Sequence, residues 1–488
     1  MILWLTDLMM VLFAGALTCL LLDLANRYTK SWRLHLAGMV TTGVLGFSLI
    51  DLFVNWPSGI VNAIMVRPVD SSFASLYFVD KFGLFIIFTV LSIGIFLSIY
   101  SWARLDIEEN VGPYFALLLI LLVSLIGVIA AGDLLILFLF WEGMSVSAYS
   151  LVAFRKEVAT SLEAALKYLI LAGSGSLIAL FGISFVYSLT GSIQLKDLGL
   201  VFQKDPQLGT LALAMLIVGL GVEAAIFPLH TWLPDAYSAA PTQVSAVLAG
   251  VVTETAVFVL VKIINPTFVN SIIQIAAMQN LTGIFQLSLV VVALFTMLIG
   301  NLGALGQKNI KRLLAYSSIS HVGYMLAALA TFSVLGLVAV IFHIWNHGLI
   351  KSSFFMLAGN SGREYEDSDL GKVNGLLGQN KLLGGMYALS SVGMLGVPPF
   401  GTFWSELLII QSLFATGSTV FYLLAVAVVL NIIISVAYFS KIITAVGQRS
   451  QQAEKTETCW RLTISPLCLL FLSLVTGFAP WLVLRMIS

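Results

Sequence analysis

The stretch LGVEAAIFPLHTWLPDAYSAAPTQ, residues 220–243, decides how this chain must fold. Glu223 sits inside an apolar run. Phe227-Pro228 interrupts the run, and His230, Pro234, Asp235 and Pro241 follow. Proline lacks a backbone donor and clashes with the preceding turn, so a helix entering here must break. The composition says what surrounds the break. Of 488 residues, 59% are hydrophobic and 10% charged, against roughly 25% charged in soluble domains. Mean hydropathy is +1.01. Such a surface is solvated by lipid, not water. Open backbone at membrane depth is tolerated only inside protein or beside a water-filled cavity. The stretch is therefore expected to line a polar site within a helical bundle.

Other classes fall away quickly. The net charge is zero, so nothing points to nucleic acid. Cys19, Cys459 and Cys468 lack metal-like spacing and read as apolar packing residues. The first apolar segment has no small-residue cleavage site and reads as a retained span. No phosphate loop, dinucleotide fingerprint or cysteine cluster appears. The chain is expected to carry no cofactor, no metal and no redox active site of its own.

A membrane crossing needs about 20 mostly apolar residues, and about 14 runs meet that criterion. The expected fold is an all-α polytopic membrane protein. The seventh span, 209–229 with a continuation near 241, and the twelfth, 383–412, are broken. The twelfth holds LGVPPFGTFWSE, with Pro398, Pro399 and Gly401. Two breaks five spans apart predict two five-helix repeats, spans 4–8 and 9–13, related by inversion, with sites at the breaks. The corresponding segments are a three-helix N-terminal part (1–110), the two repeats (111–265 and 280–446) and a C-terminal helix (460–488). Lys and Arg number 16 in the odd connections, Arg155, Lys156, Lys308 and Lys311 among them; the even ones carry four, Arg67, Lys196, Lys204 and Lys262. The positive-inside rule then places the odd connections in the cytoplasm and both termini outside. A bacterial or archaeal cytoplasmic membrane is the expected location.

Charge within a bilayer is costly and marks a pathway. The centrally placed ionisable residues are Glu142, Lys167, Glu223, His230, Glu254, His321, His343, His347, Lys351 and Glu406. Carboxylates, histidines and lysines on consecutive helices can form a proton relay, because burial and neighbours tune each group. His343, His347 and Lys351 follow at i, i+4 and i+8 and share one helix face. A His-x3-His pair can also bind metal, but no cysteine or third close ligand supports that. Lys167 lies one turn after Glu163, so a structural ion pair competes with a pathway role. For His321 a hydrogen bond within the bundle is an equal alternative.

FPLHTWLPDAYSAAPTQVSAVLAG, NIKRLLAYSSISHVGYM, HIWNHGLIKSSFF and GVPPFGTFWSELLII together resemble the antiporter-like subunits of respiratory complex I, membrane-bound hydrogenases and multisubunit cation/proton antiporters. The resemblance runs from about residue 110 to 445 and implies 14 helices, inverted repeats and translocation of H⁺ or Na⁺. It also implies partners: homologous antiporter-like subunits, small membrane subunits and a peripheral arm where iron–sulfur, flavin or nickel–iron chemistry resides. Quinone is a substrate of some such complexes. With the sequence ending soon after its last expected span, the long lateral helix of the distal complex I type is not expected.

Matched residue by residue, Glu142 in LFWEGMS takes the place of the family's helix-5 glutamate. Lys351 takes that of its helix-11 lysine or histidine, and Glu406 that of its helix-12 lysine or glutamate. Glu223 and Glu254 stand where the family usually carries lysines. Two buried carboxylates share a proton where a carboxylate and a lysine form an ion pair. Glu142 and Glu223 are expected to form such a proton-sharing pair. This half of the chain would then load protons, bind a cation through oxygen ligands, or serve as a spacer. For the whole subunit the alternatives are a redox-driven pump, a gradient-driven antiporter and a scaffold.

Overall fold

Apolar runs of this length satisfy their backbone in lipid by coiling into helices. The computed structural model describes residues 2–29, 34–55, 76–105, 111–265, 279–360, 368–448 and 459–487. Among these residues it holds helices and three isolated β-bridges, with no strand. The first helices are α1 (Ile2–Thr29), α2 (Leu34–Asn55), α3 (Lys81–Arg104), α4 (Val111–Ala130), α5 (Leu134–Val152) and α6 (Ala159–Thr190). The seventh is split into α7a (Pro206–Gly221) and α7b (Trp232–Ala239). There follow α8 (Thr242–Ile264), α9 (Gln279–Leu305), α10 (Ile310–Leu329) and α11 (Val334–Asn360). The twelfth is split into α12a (Lys381–Met394) and α12b (Gly401–Phe414), before α13 (Thr419–Gly447), α14 (Trp460–Phe478) and α15 (Pro480–Ile487).

Among the described residues, 11 helices are long and apolar enough to cross a membrane. The chain is an all-helical, multi-pass membrane protein. Three expected spans fall outside the eleven, for two different reasons. The seventh and twelfth are broken where their prolines stand, leaving α7a at 16 residues and α12a and α12b at 14 each. By contrast α10 is continuous over 20 residues but carries Lys311, Arg312, His321 and three serines. Its side chains are buried almost throughout, so it meets protein and not lipid.

Burial sorts the bundle into layers. Every residue in the apolar window of α8 is buried, against 33% in that of α13. Around α8 lie α3, α4, α10 and α11, also largely enclosed; α1, α2, α5, α6, α9 and α13 turn apolar side chains such as Phe181, Phe295 and Leu423 outward. The ends are pinned as well. At one end Tyr77 pairs with Ala131 and Asp133 with Gln194; at the other, Asn309 pairs with Asp369. Lys262 reaches from α8 to the carbonyls of Ile129 (2.6 Å) and Ala131, taking up acceptors left open at the end of α4. Arg27, Lys30, Arg33, Arg67, Arg363, Arg449 and Lys455 belong to the charge count, but their side chains lie outside the described residues.

Candidate functional site

At the first break, residues 222–231 leave the helix and Ala225 takes a φ of 53°. That left-handed conformation is uncommon for a residue with a side chain. The indole Nε1 of Trp232 donates to Val222 O at 2.8 Å, satisfying a carbonyl that the break would strand. This turns Glu223 into the interior. Its carboxylate is buried and accepts from Ser145 Oγ on α5 and from Tyr168 OH on α6, each at 2.6 Å. Tyr168 is stacked on Trp232 with ring centroids 3.9 Å apart. Both carboxylate oxygens therefore have donors on rigid elements.

Glu142 lies within electrostatic reach of Glu223, but no hydrogen bond joins them. Both oxygens of Glu223 are already engaged, and the buried Oε1 of Glu142 has no partner. Glu223 is thus held between two hydroxyls, with Glu142 near it but not hydrogen-bonded to it.

Next along the interior come Tyr237 of α7b and Thr253 of α8, whose hydroxyls are 2.5 Å apart and buried. Just before Thr253 the helix widens into a π-helical stretch, Leu248–Val252, a feature found often at functional sites. Glu254 follows it, buried, with Oε1 hydrogen-bonded to His347 Nδ1 of α11. Among the described residues, the other carboxylate oxygen, Oε2, and Nε2 of His347 are buried with no hydrogen-bond partner.

The three expected interior histidines converge. His321 Nδ1 lies 3.1 Å from His343 Nε2, and His343 Nδ1 lies 2.9 Å from Ser405 Oγ. The rings of His321 and His347 are 4.6 Å apart. The His321–His343 contact needs one nitrogen to donate and the other to accept, so moving a proton along the line reverses the tautomers. Beside them Lys351 Nζ donates to Leu314 O at 2.7 Å and to Ser317 Oγ. Lys351 also lies within electrostatic reach of Glu254. Glu406 is buried one residue beyond Ser405. At the second break Gly396 has φ +61°, and a Cβ there would stand 1.9 Å from Glu406 Oε2.

The structure thus brings together Glu142 and Glu223 at the first break, and Glu254, His321, His343, His347 and Lys351 farther in, with Glu406 buried at the second break. Two expected residues stand apart. Lys167 is half-exposed on α6, paired with Glu163 (2.8 Å) and with Asp235 (3.0 Å), which also meets Arg312 at 2.7 Å. The 32 residues of α6 extend to about 48 Å, well beyond a hydrocarbon core of about 30 Å. Lys167, near its start, need not lie at depth. His230 is half-buried and packs on Phe227, ring centroids 5.8 Å apart; no hydrogen bond links it to Glu223. Sequence reading passed over Ser145, Tyr168, Tyr237, Thr253 and Ser405. The available signal was position: Ser145 lies one turn after Glu142, and Thr253 and Ser405 directly precede Glu254 and Glu406.

Residues 131–434 match the family described as NADH:quinone oxidoreductase/Mrp antiporter, TM. The chain is 32% identical over 340 residues to the N-type subunit of the NADH-quinone oxidoreductase of Desulforudis audaxviator, a match covering 67% of this chain and 64% of that relative. It is 24% identical over 449 residues to the D-type subunit of the Na(+)/H(+) antiporter of Alkalihalophilus pseudofirmus, covering 91% of this chain and 88% of the other. Among solved structures, a chain of an archaeal respiratory complex, the membrane-bound sulfane sulfur reductase, superposes with a TM-score of 0.83 at 26% identity, covering 98% of this chain and 96% of that one.

Proposed function

The chain belongs to the NADH:quinone oxidoreductase/Mrp antiporter transmembrane family, and from that premise we propose that it is the proton-translocating subunit of a redox-driven membrane complex. The observation that carries the reading is the buried line from Glu254 through His347, His321 and His343 to Ser405, with Lys351 beside it. Each member gives or takes a proton without leaving its place, which suits H⁺ better than a cation needing several oxygen ligands. Redox chemistry is assigned to partner subunits, where iron–sulfur, flavin or nickel–iron centres would sit. Homologous antiporter-like subunits and small membrane subunits are the neighbours. The likeness to a relative named as part of a Na(+)/H(+) antiporter keeps a gradient-driven antiporter as the second reading.

We propose 14 crossings, counting α10 and the two broken helices with the eleven. An inverted repeat has support in the breaks. Pro228 and Pro399 stand 171 residues apart, and the same offset relates Ala225 to Gly396, Thr231 to Thr402 and Asp235 to Glu406. Both Ala225 and Gly396 carry positive φ. Both termini are placed outside a bacterial or archaeal cytoplasmic membrane.

The test is proton movement by the purified complex in proteoliposomes, followed with a pH-sensitive dye. Lys351→Ala is expected to lower transport at least about a hundredfold in the share this chain carries. Full transport by an intact complex carrying that change would refute the pumping role and leave a scaffold. Mass spectrometry of co-purified proteins separates the two readings, since redox-centre proteins accompany only the first.

A further inference from the structure

Far from the interior line, the end of α13 carries a site of another kind. Residues 420–439 hold no charge and match the roughly 20 residues that cross a hydrocarbon core. Ser440 and Lys441 follow at once, and the helix runs on to Gly447. Its last two turns therefore rise about 12 Å past the apolar run, to the level of lipid headgroups. With the termini placed outside, this end lies at the cytoplasmic leaflet. A cavity of about 340 Å³ opens here. Leu370 and Asn374, from the connection between α11 and α12a, form one wall, and Ser440, Lys441, Thr444 and Gln448 form the other. Gly375 N ties the walls together by donating to Ala445 O at 2.8 Å. The lining residues include no carboxylate. Asp369, next to Leu370, turns Oδ1 to Gly371 N at 2.7 Å. Lys441 Nζ donates to Leu305 O at the end of α9. An ammonium carries three N–H groups, so two more remain for a ligand. Asn374, Thr444 and Gln448 are exposed, and their amides and hydroxyl can donate as well.

One face of α13 joins this recess to the lipid. Ile433, Val436, Ser440 and Thr444 follow at i, i+3, i+7 and i+11 and share that face. Ile433 and Val436 are 59% and 45% exposed. The face is thus apolar along the core and turns polar where the cavity begins. Leu302, also exposed, lies one turn before Leu305 on α9. A ligand that matches this surface has an anionic head and an apolar tail. We propose that the recess binds the phosphate headgroup of an anionic phospholipid of the cytoplasmic leaflet, with Lys441 Nζ as the charged donor and the acyl chains along the Ile433 and Val436 face of α13. Basic recesses between helix ends at that leaflet suit such headgroups. The bound headgroup bridges α13 and the connection that follows α11. Free phosphate shares the head's chemistry and lacks the tail.

The lipid site does not depend on the proton-translocating reading. Its test uses the intact complex in phosphatidylcholine nanodiscs holding a trace of phosphatidylglycerol with a photoactivatable acyl chain. Labelled peptides are located by mass spectrometry. Label is expected on α13 between residues 433 and 441, and unlabelled phosphatidylglycerol should displace it. A phosphatidylcholine probe with the same chain should not concentrate there, and inorganic phosphate should not compete. Lys441→Gln keeps a donor for Leu305 O and removes the charge. It should lower the label about fivefold, the worth of one lysine at an anionic membrane surface. Lys156→Gln, an exposed change in another odd connection, should leave the label as it was. Equal labelling by the two probes, or unchanged label in Lys441→Gln, would reduce the site to the ordinary lipid belt and overturn it. An equal loss in Lys156→Gln would trace the effect to overall charge and overturn it too. Displacement by inorganic phosphate would make this a free-phosphate site instead. If Lys441→Gln fails to assemble, Asn374→Ala combined with Thr444→Val decides, because both side chains are exposed and leave the Leu305 contact intact. A severalfold loss of label supports the site, and no loss overturns it.

Discussion

Glu223 and Glu254 are both buried carboxylates, yet their surroundings differ. Both oxygens of Glu223 accept from hydroxyls on neighbouring helices. Glu254 has one oxygen bonded to His347, while its other oxygen and Nε2 of His347 have no hydrogen-bond partner among the described residues. The first site is closed and holds its carboxylate in one geometry. The second is left with open acceptors in contact with a chain of tautomerising rings. A buried polar network that is fully satisfied rigidifies, whereas an incomplete one has positions for a proton to move into. The Glu223 site therefore reads as a holding site and the Glu254 site as a conducting one.

The sharpest way to break this contrast is Glu254→Gln. The amide keeps the shape and removes the titratable group on which the His347 contact and the open oxygen converge. Lys351-dependent proton flux in proteoliposomes should fall about a hundredfold or more, the scale of a lost acid–base group. Retention of flux in an assembled complex would place conduction elsewhere.

The two breaks allow a second test. At positions 171 residues apart, one at each break, stand Ala225, with φ 53°, and Gly396, with φ +61°. A Cβ at Gly396 would meet Glu406 Oε2 at 1.9 Å, whereas Ala225 already accommodates one. Gly396→Ala should therefore displace the Glu406 carboxylate and strain the backbone, costing about 1–3 kcal/mol and lowering both flux and the unfolding temperature in detergent. Ala225→Gly should leave flux unchanged, with stability moved by less than about 1 kcal/mol. Equal behaviour of the two variants would contradict the register that relates the breaks.

Some of this was legible in the sequence because its cause is local. Pro228 and the Pro398-Pro399 pair break helices wherever they stand, so α7 and α12 were readable as broken. The i, i+4 spacing put His343 and His347 on one face, and the structure adds His321 to them. What could not be read is set by distance in space. The bond from Glu254 to His347 spans 93 residues and follows the π-helical stretch Leu248–Val252, which no residue type announces. The hydroxyl cage of Glu223 draws on α5 and α6, and its Tyr168 looks like one more aromatic in an aromatic-rich chain. For Lys167, apolarity locates a helix but not the part of a 32-residue helix that meets the midplane.

A smaller effect is expected at the closed site. Glu223→Gln can still accept from one of its two donors, and the other hydroxyl can rotate to accept from the amide. The fold should hold, and flux should fall only as far as the Glu223 site supplies protons, severalfold and not a hundredfold. Tyr168→Phe removes one donor from a buried carboxylate and should lower stability by about 1–3 kcal/mol, visible as a lower unfolding temperature. A hundredfold loss of flux in Glu223→Gln would erase the distinction between a holding and a conducting site.

The smallest effect belongs to Lys167. Its ammonium meets Glu163 and Asp235 on a half-exposed face, and Asp235 keeps a second partner in Arg312. Ion pairs in such settings contribute little, because solvent screens them and holding long side chains in place opposes their attraction. Lys167→Met should leave proton flux and unfolding temperature within experimental error of the unchanged complex. The same substitution at Lys351, which donates to Leu314 O and Ser317 Oγ in the interior, should abolish the flux. Lysines of equal chemistry on helices of the same bundle are thus set apart by enclosure. A loss of flux in Lys167→Met would extend the conducting line outward through Asp235, the residue equivalent to Glu406 by the 171-residue offset, and would make the first half a second path.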